Sequence, residues 1–450
     1  MISKNNKIVI SVIIFLIILI SIVNINFFRS TVKSLISPEN REKVKRIILG
    51  EKTVEYYKAL EKKSSINYNQ KLLPNSEFIN LSFKDFSLEE LITKDERSIK
   101  IKYFIEEFND DLIIVDFSGN IFFINKNIIK DFKNFDSKKI NSNIDFKNKL
   151  IRDILVVDDK IYISLAIIVD DKKQKITSES LDKQGSIGKC QKIGIYSAKI
   201  SKEKLNFTNF FVSEECNIKF NAGRIKSYTH NNKKGLLLST DADTTKKYLA
   251  QDENSLFGKI LFIDFEKKKP LIFSKGHRTP QGLLVDNNRI IATEHGPRGG
   301  DEINLIEYGN NYGWPIASYG EPYEWQKKNT ERIQYLKNHD KNGFIEPIIS
   351  FVPSIAINEI IKVPDKFSIH WKDSYLVSTL GGKVVYRVLL DKNLSKVINY
   401  EKIYIGKRIR DLIYIEDYNV FILALEGSGE PLLSKTPSIG ILGFKDFLYN

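Results

Sequence analysis

The sequence predicts an all-β body behind an apolar N-terminal helix, and three observations carry that prediction. Strand–turn–strand units recur along most of the chain, and one unbroken apolar segment lies near its start. The two cysteines are too few for a disulfide-dense scaffold or a four-thiolate zinc site. At 42% hydrophobic and 28% charged residues, the 450-residue chain has ordinary globular composition, which excludes a disordered or collagen-like protein.

The apolar segment comes first. From Ile8 to Val23 only Ser11 and Ser21 are polar, and the apolar character continues to Phe27 and Phe28. A helix rising about 1.5 Å per residue over such a stretch crosses a hydrocarbon core of about 30 Å. Asn24, Ile25 and Asn26 form no small-residue cleavage pattern, so the segment reads as an uncleaved transmembrane anchor over residues 1–30. Lys4 and Lys7 precede it, while Arg29, Lys33, Arg41 and Lys43 follow. A count of positive charges would keep the body inside, but long domains translocate largely regardless of such charges.

Residues 31–95 read as a short helical stalk and lead-in. The stalk is basic at Arg41, Lys43, Lys45, Arg46 and Lys52, but Glu39, Glu42, Glu51 and Glu55 interrupt it, as on a solvated helix face that can also touch anionic lipid. The whole chain carries 69 Lys+Arg against 56 Asp+Glu, a net +13. That excess is lysine spread over the full length rather than a patch, which argues against a nucleic-acid partner.

From residue 96 to 450 the pattern is β. Hairpin units start near Leu112, Ile154, Ile225, Leu283, Asp373 and Leu412, as in Leu112–Asp116, the turn Ser118-Gly119-Asn120, and Ile121–Asn125. Six hairpins with variable insertions fit blades of roughly 40–50 residues, and they also fit a pair of stacked sandwiches. Periodicity leaves both open.

The densest chemistry lies in Gly276–Tyr323. It includes Gly276-His277-Arg278-Thr279-Pro280-Gln281-Gly282, then Glu294-His295-Gly296-Pro297-Arg298-Gly299-Gly300-Asp301-Glu302, then Asn311-Tyr312-Gly313-Trp314-Pro315. Glycine and proline after a strand expose backbone carbonyls, and Asp301 and Glu302 add hard oxygen donors, a calcium preference rather than a zinc or copper one. Farther on, Arg408-Ile409-Arg410-Asp411 places two guanidinium groups on one side of an extended segment.

These runs resemble the glucose/sorbosone dehydrogenase family of soluble aldose sugar dehydrogenases, over roughly Lys219 to Glu426. The resemblance implies a six-bladed β-propeller that holds pyrroloquinoline quinone (PQQ) and calcium and oxidises aldose sugars at the anomeric carbon. It implies that Arg408 and Arg410 hold carboxylates of PQQ, for which planar guanidinium forks are suited. Arg278, Tyr323 and Leu380 in Thr379-Leu380-Gly381 match further cofactor positions. Gly296 and Pro297 match carbonyls facing a calcium beside the quinone, where the ion polarises the accepting carbonyl. Glu302 and Tyr312 match a second, structural calcium site. Asp411 is expected to orient an arginine.

One departure bears on catalysis. Aligning Gly223-Arg224 puts Phe220 where the family's general-base histidine stands, and loss of such a base typically costs about two to four orders of magnitude. Its carboxylate partner is matched by Asp241. Three readings stay open: Asp241 serves as the base; another histidine, His295 first and His277 next, takes over; or the site binds without turnover or turns over something else. Thr279 replaces the asparagine of the family run, and the family's first-blade Gln-Gly-Gly is absent from the sequence. Family members work outside the cytoplasm, so the propeller is expected on the extracytoplasmic, periplasmic side, passing electrons to a respiratory acceptor. In an exported chain Cys190 and Cys216 would close a disulfide.

Overall fold

The computed structural model describes residues 81–444, apart from 90, 93–99, 132–134, 170–189, 219, 243–246, 324–333 and 429–435. The expected anchor at 1–30 and the stalk from 31 to 80 lie outside the described residues. Among the described residues no helix is long and apolar enough to cross a membrane.

Among the described residues six sheets of four or five strands follow one another, four of them built wholly from hairpins in sequence order. Blade 1 holds Tyr103–Phe108, Asp111–Asp116, Ile121–Asn125 and Ser137–Ser142, with Lys204–Leu205 added in parallel at its edge. Blade 2 holds Lys149–Val157, Lys160–Val169, Cys190–Lys199 and Thr208–Asn217; blade 3 holds Ile225–His230, Lys233–Ser239, Lys259–Asp264 and Pro270–Lys275. Pro280–Asp286, Arg289–Glu294, Asp301–Ile306 and Ile349–Phe351 make blade 4. Blade 5 is Ile357–Lys362, Ser374–Thr379, Val384–Leu390 and Val397–Tyr404. The innermost strands, those opening at Tyr103, Lys149, Ile225, Pro280, Ile357 and Ile409, contact one another in a closed ring. The sheets are thus the blades of a six-bladed propeller, and the sandwich alternative falls. Each of the six hairpins expected from the sequence lies in a different blade.

Blade 6 closes the ring. It takes Ile409–Ile415, Val420–Leu425 and Ser438–Phe444 from the C-terminal part and its outer strand, Leu81–Ser87, from the other end of the chain. That strand pairs in register from Leu81 with Phe444 to Ser87 with Ser438. The propeller therefore draws a strand from the segment the sequence reading gave to the lead-in. In the run Leu-Ser-Phe-Lys-Asp-Phe-Ser, Leu81 and Phe83 share a phase that Phe86 breaks, so seven residues beside charged sequence give little signal until a partner edge is known.

The core is divided into six clusters of buried side chains. Leu112, Ile422 and Ile441 pack between blades 6 and 1, and Ile113, Ile151 and Ile163 between blades 1 and 2. Leu237, Leu283 and Ile290 pack between blades 3 and 4. Burying each such side chain stabilises the fold by about 1.5–3 kcal/mol relative to exposure. These layers fix the blades against each other and leave the first residues of the inner strands to converge on the axis. Cys190 and Cys216 are disulfide-bonded and join two strands of blade 2.

Candidate active site

A cavity of about 420 Å³ lies where the inner strands begin, and all six blades contribute to its wall. Lys102, Arg152, Arg224, Arg278 and Arg410 line it, and among the described lining residues none is a carboxylate. Three of the lining side chains are placed by one device. The pairing register shifts between Ile151 and Asp153, between Pro280 and Gly282, and between Ile409 and Asp411. The extra residues are Arg152, Gln281 and Arg410, and a bulge of this kind re-aims its side chain.

Two of these cations, Arg224 and Arg410, are held by buried acids behind the wall. Arg224 lies 2.8 Å from Asp153, 3.0 Å from Glu359 and 3.1 Å from Asp411. Asp411 thus orients an arginine, though the partner is Arg224 rather than a neighbour in its own run. Its other oxygen accepts from the Ile105 backbone N–H at 3.0 Å. Glu426, wholly buried, accepts from Arg408 Nε at 2.6 Å and Arg410 Nε at 2.7 Å. Burial alone would raise its carboxyl, but Arg410, Arg408 and Lys102 outweigh burial and hold it at about 2. Arg410 lines the cavity, whereas Arg408 stands just behind the lining, on the same carboxylate.

The glycine loop of blade 4 forms another wall. Gly296, Pro297 and His295 line the cavity, as do Tyr323 and Leu380. Asp301 pins this loop, accepting from Gly296 N at 3.0 Å, Ile355 N at 2.9 Å and Ile357 N at 3.1 Å. Gly300 has φ +70° and packs on Gly320, where any Cβ would strike the Gly320 backbone nitrogen, so the loop can follow this path only with glycine. Tyr323 donates from its hydroxyl to the Pro297 carbonyl at 3.0 Å. The His295 Nε2 is buried with no hydrogen-bond partner, and burial lowers the ring's pKa, which keeps it neutral. Arg278 donates to the His295 carbonyl at 2.9 Å and lies over the Trp314 ring at 5.4 Å.

Other expected site residues lie off the cavity. Asp241 is not among its lining residues. Its Oδ1 accepts from Asn221 N at 3.0 Å and Ala222 N at 3.4 Å, so it holds the strip of backbone that does line the wall. Phe220 is fully buried and meets Phe257 edge-on at 6.4 Å. His277 is fully buried between Ser274 at 2.8 Å and Glu294 at 3.0 Å, stacked on Tyr312 at 4.7 Å.

Glu302 and Tyr312 flank Glu294. Glu302 pairs with Glu294 across adjacent strands, and the Tyr312 hydroxyl donates to the Leu305 carbonyl at 2.6 Å. Burial, and then Glu294, raise the Glu302 carboxyl well above its ordinary value. Asn304 Nδ2 donates to Glu302 at 3.2 Å, while Asn304 Oδ1 and both His339 ring nitrogens are buried without hydrogen-bond partners. Among the described residues no group of three or more His, Cys, Asp or Glu side chains forms a metal cage.

Lys102, Phe117, Arg152, Arg224 and Gln281 also line the cavity and were not singled out from the sequence. For Arg152 a signal existed: Ile151-Arg152-Asp153-Ile154 in blade 2 repeats Ile409-Arg410-Asp411-Leu412 in blade 6.

A propeller whose axial cavity gathers cations beside a glycine loop, with acids kept behind the wall, is built to hold a polyanion. The chain belongs to the glucose/sorbosone dehydrogenase family, whose model matches residues 195–434. It is 32% identical over 222 residues to the aldose sugar dehydrogenase YliI of Escherichia coli, covering 45% of this chain and 57% of that protein. To quinoprotein glucose dehydrogenase B of Acinetobacter calcoaceticus it is 24% identical over 245 residues, covering 41% of this chain and 51% of that one. The alignments thus span about half the length of these curated relatives. In fold it is similar to the PQQ-bound aldose sugar dehydrogenase of Streptomyces coelicolor, with a TM-score of 0.52 and 18% identity over 80% of this chain and 98% of that one.

Proposed function

We propose that the chain is a PQQ-dependent aldose dehydrogenase. The observation that carries the reading is the cavity wall, with five cationic side chains and, among the described residues, no carboxylate, in a member of this family. A planar tricarboxylate suits it. Arg410 and Arg278 present guanidinium groups, and Arg408 stands behind them on Glu426. The Thr279 hydroxyl is buried with no hydrogen-bond partner, so one donor remains for a bound group. Bound PQQ would supply a two-electron hydride acceptor for oxidation of the sugar at C1, with the lactone as product.

The protein's own part is to position and to move one proton. Arg278, Arg410 and Leu380 orient the cofactor, and Tyr323 fixes the Pro297 carbonyl. His295 is the one imidazole among the lining residues and, in this reading, accepts the proton of the C1 hydroxyl. Asp241 is a positioning residue that holds Asn221 and Ala222. The Gly296 and Pro297 carbonyls would face a calcium beside the quinone, as hard oxygen donors do. Glu302 and the Tyr312 carbonyl would hold the second calcium. The unpartnered Asn304 Oδ1 beside Glu302 favours that placement. The anchor at 1–30, the extracytoplasmic location and delivery of electrons to a membrane acceptor complete the proposal; the Cys190–Cys216 disulfide favours an oxidising compartment.

Phe220 favours a second reading, a propeller that binds a sugar or partner without turnover, because no proton acceptor stands at that position. Reconstitution with PQQ and calcium, followed by dye reduction with a panel of aldoses, separates the two. Aldose-dependent reduction supports the dehydrogenase; stable PQQ binding without reduction supports the second reading; absence of PQQ binding overturns the first.

A further inference from the structure

The family match divides the cavity wall into two parts. Its lining from Asn221 to Arg410 lies within the family-matched segment, whereas Lys102, Phe104, Phe117, Ile151 and Arg152 precede residue 195, where that segment begins. This second half belongs to blades 1 and 2 and carries two cations. Its Phe117 ring holds Lys102 Nζ at 4.7 Å and the Arg152 guanidinium at 5.5 Å.

Arg152 is the internal counterpart of Arg410. Both occupy the bulge of an Ile-Arg-Asp run, and the aspartates that follow, Asp153 and Asp411, both bind Arg224. The two arginines differ in what neutralises them. Arg410 rests on Glu426, but among the described residues Arg152 has no ion pair, and its buried Nε has no hydrogen-bond partner. Asp241, which acts on Arg152 through space, is engaged by the backbone at Asn221 and Ala222. The fold also makes room for this arginine. At Gly223, with φ +117°, a Cβ would stand 2.5 Å from the Arg152 Cβ. An arginine that lines a cavity with its Nε unpartnered and, among the described residues, no ion pair is an anion anchor awaiting a ligand.

We propose that Arg152, with Lys102 beside it, is the substrate-selecting anchor of this cavity, and that the preferred substrate is an aldose carrying a carboxylate, an aldohexuronic acid. The carboxylate sits at Arg152 while C1 faces the family-matched half. This rests on the dehydrogenase reading for its chemistry, which at C1 is unchanged, but binding alone tests it.

The test uses the full chain, with and without PQQ and calcium, titrated calorimetrically with glucuronate and with glucose. Glucuronate is expected to bind at least about tenfold more tightly, the scale of a charge-assisted hydrogen bond. The advantage should shrink at high salt. It should be lost in Arg152→Gln and retained in Arg152→Lys, with thermal unfolding reporting that both variants fold. Lys102→Gln should reduce it in part, and serves if Arg152→Gln does not fold. Equal affinity of the wild type for the two sugars overturns the proposal. So does an Arg152→Gln protein that titrates PQQ more weakly but keeps its sugar preference, because the arginine then serves a cofactor carboxylate. Preferential glucuronate binding without dye reduction by any aldose supports the anchor and defeats the dehydrogenase reading. Equal oxidation and binding of both sugars does the reverse.

Discussion

Glu426→Gln is the sharpest perturbation of the cofactor half. The wild-type carboxylate is fully buried and holds Arg408 and Arg410 together. Its carboxyl titrates at about 2 in the folded protein against an ordinary 4.5. The folded value is depressed, so the contribution is present above the unfolded pKa and is lost as pH falls toward the folded one. At about 1.36 kcal/mol per unit, the charge contributes roughly 3 kcal/mol at neutral pH. Between pH 7 and pH 3.5 roughly 1 to 1.5 kcal/mol of that is lost. Glutamine keeps the shape and one acceptor but leaves two buried guanidinium groups uncompensated. Urea unfolding of the cofactor-free protein at the two pH values is the assay. The variant should lose roughly 3 kcal/mol at pH 7, and its remaining pH dependence should be shallower by the amount given. A variant within about 0.5 kcal/mol of wild type at pH 7 would refute the reasoning, because such small changes are ordinary for surface substitutions.

Two further outcomes follow from the same contacts. Phe220→His puts an imidazole into the apolar pocket against Phe257 and should cost about 2 kcal/mol in urea unfolding, the penalty of a buried polar group without a partner. It should leave dye reduction by the reconstituted protein unchanged; a rise of two orders of magnitude would show that the side chain reaches the cavity. Replacing both Cys190 and Cys216 by alanine opens a cross-link over 26 residues and should cost about 3 kcal/mol, measured by the urea midpoint; an unchanged midpoint would contradict it.

What could be read from the sequence depended on whether its residues were contiguous. The blade 4 loop was legible because Gly296, Pro297, Gly299, Gly300 and Asp301 all serve one local path, and the path itself forces the composition. The hairpins were legible because each is closed by its own turn. Leu81–Ser87 was not, since its partner lies at the other end of the chain. The identity of Phe220 was legible but its environment was not: the residue stands in the inter-blade core, and only the backbone after it reaches the cavity. Asp241 was found by its place in a motif, while its hydrogen bonds to Asn221 and Ala222 make it a support for the wall.

The rest of the cavity was hidden by the way a propeller builds a site. Each inner strand offers a residue or two, and the next contribution comes a whole blade later, so no window of sequence holds the constellation. Arg152 and Arg410 are far apart in the chain, yet their aspartate neighbours meet on Arg224. That shared guanidinium ties the two bulged strands to one frame: it donates to Asp153 from blade 2 and Asp411 from blade 6 and pairs with Glu359 from blade 5. Its Nε donates to the Gln281 carbonyl of blade 4 at 2.7 Å. One buried cation therefore sets the spacing of Arg152 and Arg410. The repeated Ile-Arg-Asp run becomes meaningful once the aspartates are seen to need the same partner, because then the arginines between them must point to the same space.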